Sequence, residues 1–207
     1  MTMVEFASIR EKLELGLSPA DEVPSPGTKI KQAAVALILR QHLGIAELLI
    51  IKRSPASGDY WSGNLALPGG RHQPNDANLC ATALRETFEE VGIDCASGGR
   101  VLGRLNTIET TNPRAPKVAV TPFVTIAPPA YHQIASAGME PPALTLNHEV
   151  AAAFWVPLSL LKEKGRSEVF RLIIEDQERE WMAYPTVHGP IWGMTERILT
   201  SFLSLLD

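Results

Sequence analysis

The chain has 207 residues, of which 45% are hydrophobic and 20% charged, and its formal net charge is −4. This composition is typical of a globular protein with one main domain. The negative charge argues against non-specific binding to nucleic acids or anionic membranes, which requires a basic surface. The most apolar run, residues 33–39, is far too short to span a bilayer.

The N-terminal sequence, MTMVEFASIREKLELGL, lacks the apolar core of a signal peptide and the composition of a transit peptide. Cys80 and Cys95 have neither the spacing of zinc ligands nor that of a disulfide framework. We therefore expect a cytoplasmic protein.

The first predicted element is a short amphipathic helix over residues 5–17, with Ile9, Leu13 and Leu17 on one side. The next stretch, SPADEVPSPGTK, is rich in Pro, Ser and Gly and predicts a linker or surface loop. These features divide the chain into an N-terminal helix and linker, residues 1–28, and a main domain, residues 29–207.

The main domain mixes strands and helices. Its first two apolar runs, QAAVALILR and AELLIIKR, predict a hairpin. Later strands are predicted at RVLGRLNTIET, KVAVTPFVTIA, EVAAAFWVPL, VFRLII and WMAYP. Helices are predicted at residues 78–91, at SLLKEK and at residues 190–206, where Pro190 suits a first helical turn. Without a strict alternation of strands and helices, the expected fold is α/β, a mixed sheet flanked by helices.

Residues 128–142 contain four prolines and predict an irregular loop that covers a site. Loops of this length without secondary structure are uncommon in compact domains unless they are functional.

The helix predicted over residues 78–91 carries three glutamates within five positions: Glu86, Glu89 and Glu90. At about 100° per residue they cluster on one side of the helix. The opposite side carries an apolar stripe that we expect to face the core: Cys80, Leu84, Phe88 and Val91. Like charges at neighbouring helical positions destabilise a helix by about 0.2–0.5 kcal/mol per pair. Arg85 is the one cationic residue beside the three glutamates in the sequence.

A solvated helix face is the plain explanation of such an acidic cluster. Two features weaken it. Solvated faces usually intersperse charges of both signs. The helix also follows LPGG, in which Gly69 and Gly70 permit close approach of the backbone to a ligand. Carboxylates beside such a turn suit a hard divalent cation such as Mg²⁺, which would supply the missing positive charge.

These residues resemble a known family motif. The segment GRHQPNDANLCATALRETFEEVGI is similar to a Nudix box, written GX5EX7REUXEEXGU with U aliphatic. Gly70, the pair Arg85–Glu86, the pair Glu89–Glu90, and the final Gly92–Ile93 match the motif.

Three departures from the box stand out. Asp76 occupies the place of the first glutamate, one extra residue separates it from Arg85, and Thr87 replaces the first aliphatic. An aspartate just before the helix is also a candidate N-cap.

The resemblance implies a fold, an activity and a cofactor. Nudix proteins are typically α/β/α sandwiches around a mixed β-sheet that hydrolyse a nucleoside diphosphate linked to another moiety. The cofactor is Mg²⁺ or Mn²⁺, bound on the pyrophosphate. By position, Glu86, Glu89 and Glu90 would be catalytic metal ligands. Arg85 would orient a glutamate, and the backbone of Gly69 and Gly70 would shape the substrate site.

The segment LLIIKRSPASGDYWSGNLALPGG resembles the motif that precedes the box in coenzyme A diphosphatases, roughly LLTxTR(S/A)x3Rx3Gx3FPGG. Arg53, Ser54 and Gly63 match it, as does the run from Pro68 to Gly70. Asp59 stands where that motif has an arginine, which removes a cation that could meet a phosphate. A coenzyme A-like substrate would be cut to adenosine 3′,5′-bisphosphate and 4′-phosphopantetheine.

Several residues outside the box are candidates for the site. Glu149 is the first candidate for a further ligand or base, and Glu109 is a weaker one. Arg53 and Arg71 could meet substrate phosphates. Trp61 could stack on a base or instead hold its loop to the sheet.

Two alternatives to a coenzyme A diphosphatase stay open. One is a Nudix-fold sensor that binds a nucleotide without turning it over. The other is an enzyme that acts on ADP-ribose, NADH or nucleoside triphosphates. In each case the partner is a small nucleotide, with no nucleic acid and no membrane, and the family resemblance favours a homodimer.

Overall fold

The computed structural model describes residues 3–22, 30–58, 61–111, 116–133, 140–174 and 177–207. Its helices are α1 (Met3–Gly16), α2 (Leu79–Val91), α3 (Cys95–Gly98), α4 (Leu158–Lys164) and α5 (Gly193–Leu203). Its strands are β1 (Lys31–His42), β2 (Ile45–Arg53), β3 (Leu65–Ala66), β4 (Gly69–Arg71), β5 (Arg100–Arg104), β6 (Ile108–Glu109), β7 (Val118–Ile126), β8 (Val150–Pro157), β9 (Glu168–Ile174), β10 (Gln177–Thr186) and β11 (Gly189–Ile191). Short 3₁₀ turns cover Pro129–Tyr131 and Ser204–Leu206.

The main sheet is mixed. Its strands follow the order β3-β2-β1-β7-β5, while β4 pairs with β1, β6 with β7 and β8 with β2. Strands β1 and β7 run parallel, whereas β1 and β2 form the predicted antiparallel hairpin. A smaller sheet has the order β11-β10-β9. The predicted hairpin and mixed sheet are confirmed.

Helices cover both faces of the main sheet, because successive side chains of a strand point to opposite sides. In β1, Leu37 and Leu39 belong to the core shared with α1, α4 and α5. The alternate residues Ala36 and Ile38 belong to the core shared with α2. This three-layer arrangement confirms the predicted α/β/α sandwich. Among the described residues, no helix has the length and apolar content needed to cross a membrane.

The two hairpin strands diverge, and a turn formed by Gly69 and Gly70, called the glycine turn below, lies between them. Strand β1 pairs with β2 only near the hairpin, at residues 39–42. Nearer its start, residues 33–35 of β1 pair with β4. Strand β3 pairs with Ile51 and Lys52 of β2, and Ala36 donates its N–H to the Pro68 carbonyl at 2.8 Å. Both edges of the turn are thereby fixed by backbone hydrogen bonds, directly below α2.

The N-terminal helix α1 packs into the core through the predicted side. Leu13 is fully buried, and Ile9 and Leu17 pack against the same core. The chain then reaches the edge strand β5, where Ser18 and Arg104 exchange two backbone hydrogen bonds. Arg104 also donates from Nε to the Glu22 carbonyl at 2.8 Å. The first part of the predicted linker is therefore held on the sheet, and residues 23–29 lie outside the described residues.

The C-terminal helix begins later than predicted. Pro190 lies in β11, opposite Pro185 of β10, and α5 starts at Gly193. The prediction of Pro190 in a first helical turn was wrong because strand pairing places its neighbour Ile191 in the core, where it is fully buried. Of the predicted loop over residues 128–142, the segment 134–139 lies outside the described residues.

The packing of α1 gives a stability prediction. Leu13→Ala should lower the free energy of unfolding by about 2–5 kcal/mol, because it removes a fully buried side chain and leaves a cavity. Leu15→Ala in the same helix is the matched control, since Leu15 is 83% exposed, and should change stability by less than about 0.5 kcal/mol. Urea denaturation measures both, and equal effects would contradict the packing of α1.

Candidate functional site

Helix α2 has well-defined ends. The Asn78 side chain caps its N-terminus by accepting a hydrogen bond from the Ala81 N–H at 2.8 Å. Gly92 ends it in the left-handed conformation, with φ of 75°. The suggestion that Asp76 is the N-cap was therefore wrong. Asp76 lies two residues before the N-cap, and its carboxylate binds Arg85 instead.

The helix is rotated relative to the sequence prediction. Phe88, expected in the core, is 56% exposed, whereas Glu90 is only 2% exposed. The face that packs on the sheet carries Thr82, Ala83 and Thr87, which are fully buried. These small side chains let the helix approach β1 and β4 closely.

Of the predicted apolar stripe, Val91 is fully buried, and Cys80 and Leu84 pack against the same core, so the prediction was wrong only for Phe88. Glu90 and Glu86 are drawn inward because they find polar partners in the turn below.

Glu90 and Glu86 both contact the glycine turn. The Gly69 N–H donates to Glu90 Oε2 at 2.8 Å. The Glu86 carboxylate lies against Gly70, so a Cβ atom built on that glycine would fall 2.5 Å from Glu86 Oε1. Gly69 has φ of +152° and faces the β1 backbone. The backbone conformation therefore requires glycine at Gly69, whereas a side chain at Gly70 would displace the Glu86 carboxylate.

Arg85 connects the acidic cluster to Asp76. Its Nε donates to Asp76 Oδ1 at 2.7 Å and its Nη2 donates to Asp76 Oδ2 at 3.0 Å. Its Nη1 lies 2.9 Å from Glu86 Oε1 and 3.0 Å from Glu89 Oε2. The hydrogen bond from Arg85 holds the pKa of Asp76 well below its usual range. Asp76 thus fixes the guanidinium that orients Glu86 and Glu89.

Burial disfavours the charged forms of the two inner glutamates, Glu86 and Glu90. Burial raises the pKa of Glu90 to about 8, although the hydrogen bond from Gly69 and the charge of Arg53 oppose that shift. Burial also raises the pKa of Glu86, against the effect of Arg85. The repulsion between Glu86 and Glu90 adds to the shift at Glu90. A cation bound here would be favoured, because it would offset that desolvation and repulsion.

The donor chemistry of the cluster fits a divalent cation. Three carboxylates project from one helix, and oxygen donors are what Mg²⁺ and Mn²⁺ prefer. In the described parts of the chain, no three acidic, histidine or cysteine side chains converge on one point as they stand. Glu86 and Glu89 instead share Arg85. Glu89, whose side chain is half exposed, would have to turn away from the guanidinium to ligate an ion.

Glu149 and Arg53 lie close to the same cluster. The charge of Glu149 raises the pKa of both Glu86 and Glu90, and the charge of Arg53 lowers that of Glu90. Their chain segments are joined, since Ser54, next to Arg53, donates its N–H to the Glu149 carbonyl at 2.8 Å. The structure therefore brings these two predicted residues to the glutamates.

The remaining candidates that the structure describes are Arg71, Trp61 and Glu109. Arg71 has an exposed side chain, and its carbonyl accepts a hydrogen bond from Arg85 at 3.3 Å. Trp61 is half-buried in the turn before β3, where its carbonyl accepts the Asn64 N–H. Glu109 lies exposed on β6, with its carbonyl bonded to Arg197. Asp59 lies outside the described residues.

An open cavity of about 280 Å³ adjoins Glu89. Its lining combines the exposed Phe88 with Gly92 and three residues of the loop before β8: Thr145, Leu146 and Asn147. The exposed aromatic side chain of the box helix therefore borders space large enough for part of a small molecule.

Two contributors escaped the sequence prediction. Asp76 was expected to cap a helix, whereas it anchors Arg85; its position nine residues before an arginine gave no helical-spacing signal. Asn147 was not singled out, although it contacts both the end of α2 and the backbone of Glu149. An Asn two residues before a candidate acid is a turn signal that could have drawn attention to it.

Comparisons with known proteins identify the family of the chain. The NUDIX domain model matches residues 29–176. The Nudix hydrolase NudL of Citrobacter koseri is 34% identical over 172 residues, covering 82% of this chain and 79% of the relative. NudL of Salmonella heidelberg is 31% identical over 199 residues, covering 95% of this chain and 83% of the relative.

Among solved structures, a MutT/nudix family protein from Enterococcus faecalis has a TM-score of 0.53 at 18% identity, covering all of this chain and 70% of that chain. This likeness shows a shared fold. Together with the domain match and the NudL relatives, it leads to one conclusion: the chain belongs to the NUDIX domain family and is a Nudix hydrolase.

Proposed function

We propose that the chain hydrolyses the pyrophosphate bond of a nucleoside diphosphate linked to another moiety, with Mg²⁺ or Mn²⁺ as cofactor. The observation that carries this proposal is the contact of Glu86 and Glu90 with the Gly69–Gly70 turn. This contact gathers partly desolvated carboxylates next to a backbone that a diphosphate could approach.

Each residue of the site has a proposed task. Glu86, Glu89 and Glu90 would hold the metal, which supplies charge neutralisation on the phosphates and an activated water. Arg85, fixed by Asp76, keeps Glu86 and Glu89 oriented when no ion occupies them. Glu149, whose charge raises the pKa of Glu86 and Glu90, is the proposed general base or additional ligand. Arg53 and Arg71 would bind substrate phosphates through charge-assisted hydrogen bonds.

Coenzyme A or a derivative is the first substrate to test. Support comes from the segment before the box, which resembles that of coenzyme A diphosphatases. The cavity lined by Phe88 and Leu146 could accommodate part of the moiety beyond the diphosphate. Trp61 would contact the substrate from the turn before β3.

A substrate panel tests the proposed function. Coenzyme A, ADP-ribose, NADH and a nucleoside triphosphate are each incubated with the protein and Mg²⁺, then with Mn²⁺, and the products are separated by chromatography. Adenosine 3′,5′-bisphosphate and 4′-phosphopantetheine are expected from coenzyme A. Tight nucleotide binding by calorimetry without any product would favour a sensor instead.

Removing the charge of single glutamates should abolish most turnover. We expect Glu89→Gln and Glu90→Gln each to lower kcat by at least ~10²-fold, because an amide is a poor ligand for a divalent cation. Glu163→Gln, on the exposed face of α4, is the control and should retain full activity. Thermal denaturation verifies folding, and active folded variants at both positions would refute the assignment.

The turn itself offers a separate test. Gly70→Ala should lower kcat by ~10²-fold with little loss of stability, because the new methyl group meets only the movable Glu86 carboxylate. Gly69→Ala should instead destabilise the fold, because its methyl group would meet the β1 backbone at a strained φ. Gly98→Ala, remote from the site, is the activity control. Unchanged kinetics in Gly70→Ala would show that the position of Glu86 is unimportant.

A further inference from the structure

The loop that carries Glu149 is attached to the end of α2 by backbone hydrogen bonds. Thr145 donates its N–H to the Val91 carbonyl at 3.1 Å, and Asn147 donates its N–H to the Glu90 carbonyl at 3.2 Å. The last carbonyls of a helix have no partners within the helix, so these bonds satisfy two of them. The loop is therefore fixed to the same residue, Glu90, that contacts the glycine turn.

Gly92 allows this close attachment. A Cβ atom on Gly92 would lie 3.0 Å from Thr145 Cβ, and the φ of this glycine is +75°. A side chain at this position would both strain the backbone and push the loop outward.

The Asn147 side chain then fixes Glu149. Its Oδ1 accepts the Glu149 N–H at 2.9 Å, an Asx-turn in which a side chain replaces a backbone partner. The Asn147 carbonyl accepts the Val150 N–H at 3.3 Å, which closes the turn into β8. On the other side, the Glu149 carbonyl accepts the Ser54 N–H. Both backbone groups of Glu149 are thus held, although its side chain is exposed.

We propose that Asn147 is a positioning residue that links the end of α2 to Glu149 and so holds that carboxylate beside Glu86 and Glu90. The inference rests on the proposed function, since it assigns Glu149 a part in the hydrolytic site. In this role Asn147 acts through Glu149. Asn147 also lines the cavity beside Glu89, and the effect of its substitution on KM distinguishes a contact with the substrate from the positioning of Glu149. The Asn147 side chain can be changed without removing the backbone bonds that attach the loop to the helix.

The test is a double-mutant cycle between Asn147 and Glu149. Asn147→Ala should lower kcat by about 10-fold with KM changed less than about twofold, because it leaves the loop attached but frees the Glu149 N–H. In a Glu149→Gln background the same substitution should cost less than about twofold. Asn147→Ser, which keeps an acceptor oxygen, should recover at least about threefold of the loss. Asn106→Ala, at an exposed loop position, is the control.

A titration with Mn²⁺ alone gives a readout that does not depend on turnover. Asn147→Ala and Glu149→Gln should each weaken Mn²⁺ binding by about 3–10-fold, and the double variant should be no weaker than Glu149→Gln. If the wild-type protein turns over none of the substrates, the proposed function fails, and this titration alone decides the role of Asn147. Losses that multiply in the double variant, or no loss in Asn147→Ala, would overturn the inference in either measurement.

Discussion

The site depends on two carboxylates that point into the protein rather than out of it. Glu90 receives a hydrogen bond from the Gly69 N–H, and Glu86 lies against Gly70. A buried carboxylate is unfavourable unless hydrogen bonds or counter-charge compensate for its lost hydration. The surrounding structure supplies part of that compensation. The raised pKa of Glu90 shows that this compensation is incomplete, which would favour a bound divalent cation.

Several features of the fold serve this contact. Divergence of β1 from β2 makes room for the glycine turn within the sheet, where its backbone is held by hydrogen bonds. Small residues on α2, such as Ala83 and Thr87, allow the helix to sit low over that turn. Arg85, held by Asp76, orients the carboxylates of Glu86 and Glu89. Backbone contacts from the loop before β8 complete the end of the helix.

Sequence reasoning succeeded where one physical effect dominates. Continuous apolar runs gave the strands β1 and β2, because a sheet covered on both faces buries nearly every side chain of its central strands. The spacing of Arg85 and the three glutamates gave the helix and the family. Fold class and the identity of the acidic cluster were therefore predictable.

The orientation of that helix was not predictable from apolar periodicity. That method assigns the most apolar side to the core, which placed Phe88 inside and Glu90 outside. An acidic side chain such as Glu90 can be buried when a neighbouring turn offers an N–H group. Here that N–H group comes from a residue some 20 positions away in sequence. The roles of Asp76 and Asn147 were missed for the same reason, because both depend on tertiary contacts. Pro190 was misassigned because pairing with β10 outweighed its preference for a helix start.

The contact of Ser18 with the outermost strand β5 also has a bearing on how copies of this protein can associate. An uncovered edge strand offers unpaired backbone groups to which another sheet can add, a common start of aggregation. Here Gly103 lacks the side chain that would collide with the Ser18 carbonyl, so the N-terminal segment lies directly along that edge. Continuous growth of the sheet from β5 would first have to displace this segment.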